Sequence, residues 1–163
     1  MTGDSLLDTS AMRDLMRLLW DHSNADAAPS ERRERIGFLF DSAGVLVYRG
    51  DLDNPNCTPC QSRCLVPVVG QPIAAVNTHP FRPGDLLPAN CHPGDPTPRQ
   101  YSVDRFGGAS ELDLTAFRQW NMPGYILDKD NVYAIPRGTT VDNASANIRR
   151  YPRVNRFTGC KVI

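Results

Sequence analysis

The sequence predicts a single domain of the α/β (α+β) class, in which a mixed β-sheet is flanked by helices. Its 163 residues fall within the usual size of one domain. Its apolar content of 40% and charged content of 22% are typical of folded globular chains. Along the chain the local patterns read helix, hairpin, strand, helix, hairpin, an order typical of a mixed sheet covered by helices.

The first element is an amphipathic helix followed by a linker, together covering 1–29. Apolar residues recur at the i, i+3, i+4, i+7 spacing of one helical face: Met12, Leu15, Met16 and Leu19. Thr9 or Ser10 can cap its start, and the polar, proline-containing stretch 24–30 ends it. We expect this helix and linker to pack on the rest of the domain.

The predicted core covers 30–137 and contains two β-hairpins. Apolar runs on either side of a polar or glycine-ending turn indicate each hairpin: 36–40 with 45–48, and 125–127 with 132–135. Between the hairpins, 73–76 is typical of a short buried strand. A second helical pattern follows Ser110, with Leu112, Ala116 and Phe117 on one face.

Two segments lack clear periodicity. Ten of the fourteen prolines lie between Gly50 and Gln100, so the insertion 50–105 is predicted to form long irregular loops. The tail 138–163 carries a cluster of basic residues: Arg149, Arg150, Arg153 and Arg156. No aromatic run or binding motif accompanies them, so we interpret this cluster as a solvated tail.

The charge balance and the hydropathy of the chain limit the classes of partner that we expect. Lys plus Arg and Asp plus Glu number 18 each, which leaves no general field to attract nucleic acid or an anionic membrane. No stretch approaches the roughly 20 apolar residues that span a bilayer, and the N-terminus lacks the order of a secretory signal. We expect a chain that is cytoplasmic or exported by a route that uses no cleavable signal on this segment.

Three of the five cysteines lie close together, at Cys57, Cys60 and Cys64. This spacing allows them to share a structural zinc ion, with Cys91 or Cys160 as fourth ligand. One or two disulfides that pin the loop, or buried thiols, explain the same pattern. The sequence leaves these alternatives open.

Three short motifs stand in an informative order. Glu34 lies just before a predicted strand that contains Gly37, Asn77-Thr-His79-Pro80 ends an interior strand, and Ser110-Glu-Leu-Asp113 begins a helix. Together with the second hairpin they resemble the signature of the JAB/MPN (JAMM) metallopeptidase superfamily. The resemblance covers roughly 30–137, and within the superfamily the chain looks most similar to small JAB-like domains at the ends of bacterial Rhs-type polymorphic toxins.

The resemblance implies a cytidine-deaminase-like, MPN-like architecture and a zinc-dependent hydrolase of amide or isopeptide bonds. It implies that His79 and Asp113 are metal ligands, that Glu34 is the general base and acid, and that Ser110 donates a hydrogen bond to the developing oxyanion. It also implies a protein or peptide substrate, a role as the effector domain of a secreted toxin, and a cognate immunity protein as partner.

The chain departs from the family where Asn77 replaces a second histidine ligand. An amide oxygen binds hard cations but is a poor ligand for zinc. Three alternatives follow: a site with Asn77 that holds zinc more weakly, a site with His92 or Cys91 as a substitute ligand, and a site without metal. A long Pro-rich segment also separates His79 from Ser110, which loop entropy tolerates.

Each motif has a simpler interpretation when taken alone. The charged run that contains Glu34 is typical of a solvated face, His79 can end a strand without a ligand, and Ser110 with Asp113 fits a helix capping box. Two functions of other classes therefore remain: a non-catalytic MPN-like binding module with a degenerate metal site, and a zinc-stabilised interaction module built on Cys57, Cys60 and Cys64.

Overall fold

A computed structural model describes residues 2–52, 67–88, 99–101, 106 and 108–153. Its helices are α1 (Ser10–Asp21), α2 (Glu111–Trp120) and α3 (Ala144–Asn147). Its strands are β1 (Ile36–Ser42), β2 (Val45–Gly50), β3 (Gln71–Thr78), β4 (Leu86–Leu87), β5 (Arg99–Gln100), β6 (Gly124–Leu127), β7 (Asn131–Ile135) and β8 (Arg149–Pro152). The predicted mixed α/β class is confirmed.

The main sheet has six strands in the order β2-β1-β3-β6-β7-β8. Its neighbouring strands are antiparallel except β3 and β6, which run parallel. A parallel pair needs a crossover connection, and α2 lies in the chain between these two strands. Strands β4 and β5 form a separate two-stranded sheet within the Pro-rich insertion. No helix within the described ranges is long and apolar enough to cross a lipid bilayer.

Both predicted hairpins are confirmed, and their turns have local causes. Between β1 and β2, Ala43 and Gly44 have φ of 52° and 84°. Two central residues with positive φ match a type I′ turn, whose twist suits paired strands. Between β6 and β7, Oδ1 of Asp128 accepts hydrogen bonds from the backbone N–H groups of Asp130 (2.9 Å) and Asn131 (2.7 Å).

The sheet is covered on both faces, so its strands bury alternate residues in two different cores. In β3, Ala74 and Val76 pack on the α1 side, and Ala75 packs on the α2 side. The α1 core also contains the four predicted helix residues Met12, Leu15, Met16 and Leu19. The α2 core includes Leu114, Phe117, Phe38, Phe40 and Ile126. This alternation decides which polar side chains meet near α2.

Both helices approach the sheet over glycines. A Cβ on Gly37 would lie 2.8 Å from Cδ1 of Leu15 in α1, and one on Gly124 would overlap the ring of Phe117 in α2. A side chain at either position would force these neighbouring side chains to move. Gly37, the strand glycine of the first motif, therefore has a packing role.

The C-terminal segment differs from the prediction. Residues 138–153 contribute α3 and β8, and β8 pairs with β7 at the edge of the sheet. Arg149 and Arg150 are exposed as expected, but Arg153 is only 4% exposed. Its guanidinium lies 4.5 Å from the ring of Trp20 and donates hydrogen bonds to the carbonyls of Asp128 (2.7 Å) and Lys129 (3.3 Å). The interpretation of this cluster as a solvated tail is wrong for Arg153.

Candidate functional site

The sheet register brings the first two motifs together. Glu34 precedes β1 by two residues, and Ile36, the first residue of β1, is paired with Asn77 of β3. Because side chains alternate along a strand, Asn77 lies on the same face as Ala75, beneath α2. His79 follows β3 directly after Thr78. Its backbone N–H donates to the carbonyl of Leu127 at 2.8 Å, which fixes the strand end beside β6.

The third motif forms the start of α2 above this face. Ser110 is the N-cap, and its Oγ accepts a hydrogen bond from the backbone N–H of Asp113 at 3.1 Å. In return, Oδ2 of Asp113 accepts one from the backbone N–H of Ser110 at 2.9 Å. The simpler interpretation of this pair as a capping box is therefore confirmed. The capping box also points the Asp113 carboxylate toward the strand ends.

Glu34, His79 and Asp113 converge into one cluster. One potential ligand atom from each lies within 4.8 Å of the others. Nε2 of His79 and Oδ2 of Asp113 are 3.1 Å apart, and Glu34 is only 6% exposed. The alternative interpretation of Glu34 as part of a solvated charged face is wrong, because the side chain is buried against the other two. This is the one group of three or more His, Cys, Asp or Glu ligand atoms found within the residues that the structure describes.

Asn77 of β3 is the fourth polar residue of the cluster. Its Nδ2 donates a hydrogen bond to Oδ1 of Asp113 at 2.9 Å. Asn77 is only 3% exposed, and its Oδ1 has no hydrogen-bond partner. A buried carbonyl oxygen left without a donor costs about 1–3 kcal/mol. The cluster therefore contains one strong acceptor that the protein itself does not satisfy.

Burial and mutual charge shift the three titrating groups in different directions. Burial raises the pKa of Glu34 to about 8, and the Asp113 carboxylate adds to this effect. Burial alone would lower the pKa of His79, but the Asp113 and Glu34 carboxylates outweigh it and raise that pKa to about 9. Burial opposes ionisation of Asp113 as well, yet His79 and the Ser110 hydrogen bonds hold its pKa below the usual value. These directions favour a proton on Glu34 and on His79 and an ionised Asp113.

Sequence reasoning missed Tyr101. Its hydroxyl lies 3.4 Å from Nδ1 of His79, with the two rings nearly perpendicular at 85° and 6.0 Å between centroids. Its own ring stacks on Phe81 at 5.8 Å, and its backbone bonds to Asp85 and Gly84. Tyr101 lies in the Pro-rich insertion, where no periodic pattern distinguishes a residue that reaches the site.

No family model matches this chain. Searches of curated proteins and of solved structures also gave no match. The resemblance to the JAMM superfamily therefore stays a prediction from the three motifs.

Several predicted site residues lie outside the described residues. These are the three clustered cysteines and the two candidate substitute ligands: Cys57, Cys60, Cys64, Cys91 and His92. The disulfide, zinc and free-thiol alternatives for the cysteines stay predictions, as does a substitute ligand for the missing imidazole.

A cavity of about 370 Å³ lies elsewhere, lined by the N-terminal segment and by β6, β7 and β8. None of the cluster residues lines it. Its acidic residue, Asp4, already accepts the Tyr125 hydroxyl and the backbone N–H groups of Leu6 and Leu7. Within the described residues, no buried side-chain atom that lacks a hydrogen-bond partner belongs to a residue lining this cavity.

Proposed function

We propose that this chain is a metal-dependent hydrolase of the JAMM type, with an MPN-like architecture. The convergence of Glu34, His79 and Asp113 carries the proposal, because these residues come from three separate elements and meet within 4.8 Å. The parallel β3–β6 pair with α2 between them supports it, since it brings the end of β3 and the start of α2 to the same place.

The donor set of the cluster fits a divalent cation. An imidazole nitrogen and carboxylate oxygens are common ligands of such ions in proteins. His79 and Asp113 would hold the ion, and Asn77, whose Oδ1 has no hydrogen-bond partner, occupies the position in the sequence motif where the family has its second histidine. When bound, a divalent cation polarises a scissile carbonyl and lowers the pKa of a water molecule.

The remaining chemistry belongs to Glu34 and Ser110. Burial brings the pKa of Glu34 to about 8, a value suited to taking a proton and returning it to a leaving amine near neutral pH. The Ser110 hydroxyl uses one lone pair to cap α2. A hydroxyl keeps its own O–H donor while it accepts, so Ser110 remains able to donate to a developing oxyanion.

The family resemblance implies the substrate class, an amide or isopeptide bond in a protein or peptide. The effector role in a secreted toxin, and a cognate immunity protein as partner, extend this proposal through the family resemblance alone.

Metal analysis combined with hydrolysis assays tests the proposal. The purified protein should bind about one divalent cation per chain and cleave peptide or isopeptide substrates. His79→Ala and Asp113→Ala should lose the cation, and Glu34→Gln should keep it but lose activity by a factor of about 10²–10⁴. A wild-type protein that is folded by circular dichroism yet binds no divalent cation at any pH between 6 and 9 would overturn it.

A second candidate is a non-catalytic MPN-like binding module. It is favoured by the hydrogen bond from Nδ2 of Asn77 to Asp113, which helps to neutralise the carboxylate without any ion. Glu34→Gln separates the two functions, because a binding module would keep its partner affinity and an enzyme would lose turnover.

The zinc-stabilised module built on the clustered cysteines is the third candidate. Replacing Cys57, Cys60 and Cys64 together by Ser should unfold such a module and remove its metal. The same change in the proposed hydrolase should leave one cation in the cluster of Glu34, His79 and Asp113.

A further inference from the structure

The amide of Asn77 presents its nitrogen to the carboxylate of Asp113. Nδ2 donates to Oδ1 of Asp113 at 2.9 Å. The oxygen of the same amide is buried and has no partner. The amide nitrogen therefore supplies the positive partial charge that the Asp113 carboxylate needs.

The two ends of an amide have nearly the same shape, so the side chain can exchange them by a half-turn about its last torsion. The half-turn would place Oδ1 against the carboxylate oxygens of Asp113. That arrangement is repulsive when the space between them is empty and favourable when a cation fills it. The same half-turn frees Oδ1 of Asp113 from its hydrogen bond.

We infer that Oδ1 of Asn77 is a ligand of the cation, and that it shifts the site away from zinc selectivity. This inference rests on the proposed function, since it concerns the same cluster. Without a cation the Nδ2 group hydrogen-bonds the Asp113 carboxylate, and with a cation the oxygen joins His79 and Asp113 in binding it.

The class of cation follows from the donor atoms. Carboxylate and carbonyl oxygens suit Mn²⁺ and Mg²⁺, whereas imidazole favours zinc. One imidazole with oxygens from Asp113 and Asn77 should discriminate weakly between Mn²⁺ and Zn²⁺, although zinc still binds the more tightly of the two in absolute terms. A histidine at position 77 would restore strong preference for zinc.

Binding measurements on cation-free protein test this inference without any activity assay. Free Mn²⁺ is measured by electron paramagnetic resonance, and Zn²⁺ by competition with a chelating dye. The variants are Asn77→His and Asn77→Ala, and Asn147→His is the matched control, because Asn147 is exposed on α3 and gains an imidazole away from the cluster. Circular dichroism and thermal unfolding establish that each variant is folded.

We expect Asn77→His to tighten Zn²⁺ binding by about 10–100-fold and Mn²⁺ binding by less than about threefold. Asn77→Ala should weaken the binding of both ions by about tenfold or more. Asn147→His should bind both ions with the affinities of the wild type. If Asn77→Ala does not fold, the change in the ratio of Zn²⁺ affinity to Mn²⁺ affinity in Asn77→His decides by itself whether the inference holds.

Three results would overturn the inference, and they bear differently on the proposed function. Unchanged affinities in folded Asn77→Ala would exclude Asn77 as a ligand but leave the hydrolase proposal in place. An unchanged ratio of Zn²⁺ affinity to Mn²⁺ affinity in Asn77→His would also exclude Asn77 as a ligand and leave the hydrolase proposal in place. A wild-type protein that binds neither ion would remove both.

Discussion

Nε2 of His79 lies 3.1 Å from Oδ2 of Asp113, and this contact joins the end of β3 to the first turn of α2. Both side chains are nearly buried, at 12% and 11% exposure. The pair therefore links two separate elements of the fold within the cluster. Its charges also make the cluster sensitive to pH.

The stability of the cation-free protein should fall as the pH rises. The pKa of Glu34 is about 8 against an ordinary 4.5, and that of His79 is about 9 against 6.5. Both groups hold protons more tightly in the folded state than in the unfolded state. Their contribution to the free energy of unfolding is therefore complete below the ordinary pKa values, and it is lost as the pH rises through the pKa values of the folded state. Urea unfolding in the presence of a chelator should give a free energy of unfolding lower by a few kcal/mol at pH 9 than at pH 5.5.

Glu34→Gln is the control for this pH dependence. This substitution should remove most of the decrease in the free energy of unfolding between pH 5 and 7. The decrease between pH 7 and 9, which His79 causes, should remain. A free energy of unfolding that rises across this window would contradict the assigned directions.

Cation affinity should change with pH in the opposite sense. A cation competes with protons for His79 and for the neighbouring Glu34, so binding releases protons and tightens as the pH increases. Isothermal titration of Mn²⁺ in two buffers of different ionisation enthalpy should show net proton release at pH 7. An affinity independent of pH between 6 and 8.5 would mean that the cation binds elsewhere.

Ser110→Ala should have two separable effects. Loss of the N-cap should destabilise the protein by about 1 kcal/mol, and loss of the hydroxyl donor should lower kcat by about 10²–10³. Thr9→Ala is the matched control, because Thr9 caps α1 in the same way through the N–H of Met12. It should cost a similar amount of stability and leave kcat unchanged. Equal kcat values in the two variants would restrict Ser110 to a capping role.

Tyr101→Phe should weaken cation binding because Tyr101 orients the ring of His79 from its second nitrogen. Loss of such an outer partner typically costs 10–100-fold in metal affinity. Tyr133→Phe removes a hydroxyl that donates to Asp128 instead, so it should lower stability without changing affinity. The two affinities are measured by the same titration. An equal effect of both substitutions would exclude a specific role for Tyr101.

Arg153→Met should destabilise the protein by roughly 2–4 kcal/mol. The change removes charged hydrogen bonds to the carbonyls of Asp128 and Lys129 and the contact with Trp20, but it keeps much of the side-chain volume. Arg150→Met, on the exposed part of β8, should change stability by no more than about 0.5 kcal/mol. Urea unfolding compares the two. Equal losses would mean that Arg153 behaves as a surface residue after all.

The sequence predicted most of the secondary structure because the signals are local. Helical spacing and caps identified α1 and α2, and apolar runs around short turns identified both hairpins. The last strand, β8, was missed since its short polar sequence, Arg149 to Pro152, has no apolar alternation. Its pairing with β7 comes from the sheet edge that β7 offers, and no local pattern encodes that edge.

By itself, the sequence determined which residues carry the candidate chemistry and in what order they occur. The tertiary structure alone decided that they meet, because β1–β3 register, strand alternation and the α2 crossover bring Glu34, His79 and Asp113 to one buried point. It also decided that Tyr101 reaches His79 and that the Asn77 oxygen lacks a partner. Burial and hydrogen-bond partners depend on residues far apart in the chain, so no local pattern can fix them.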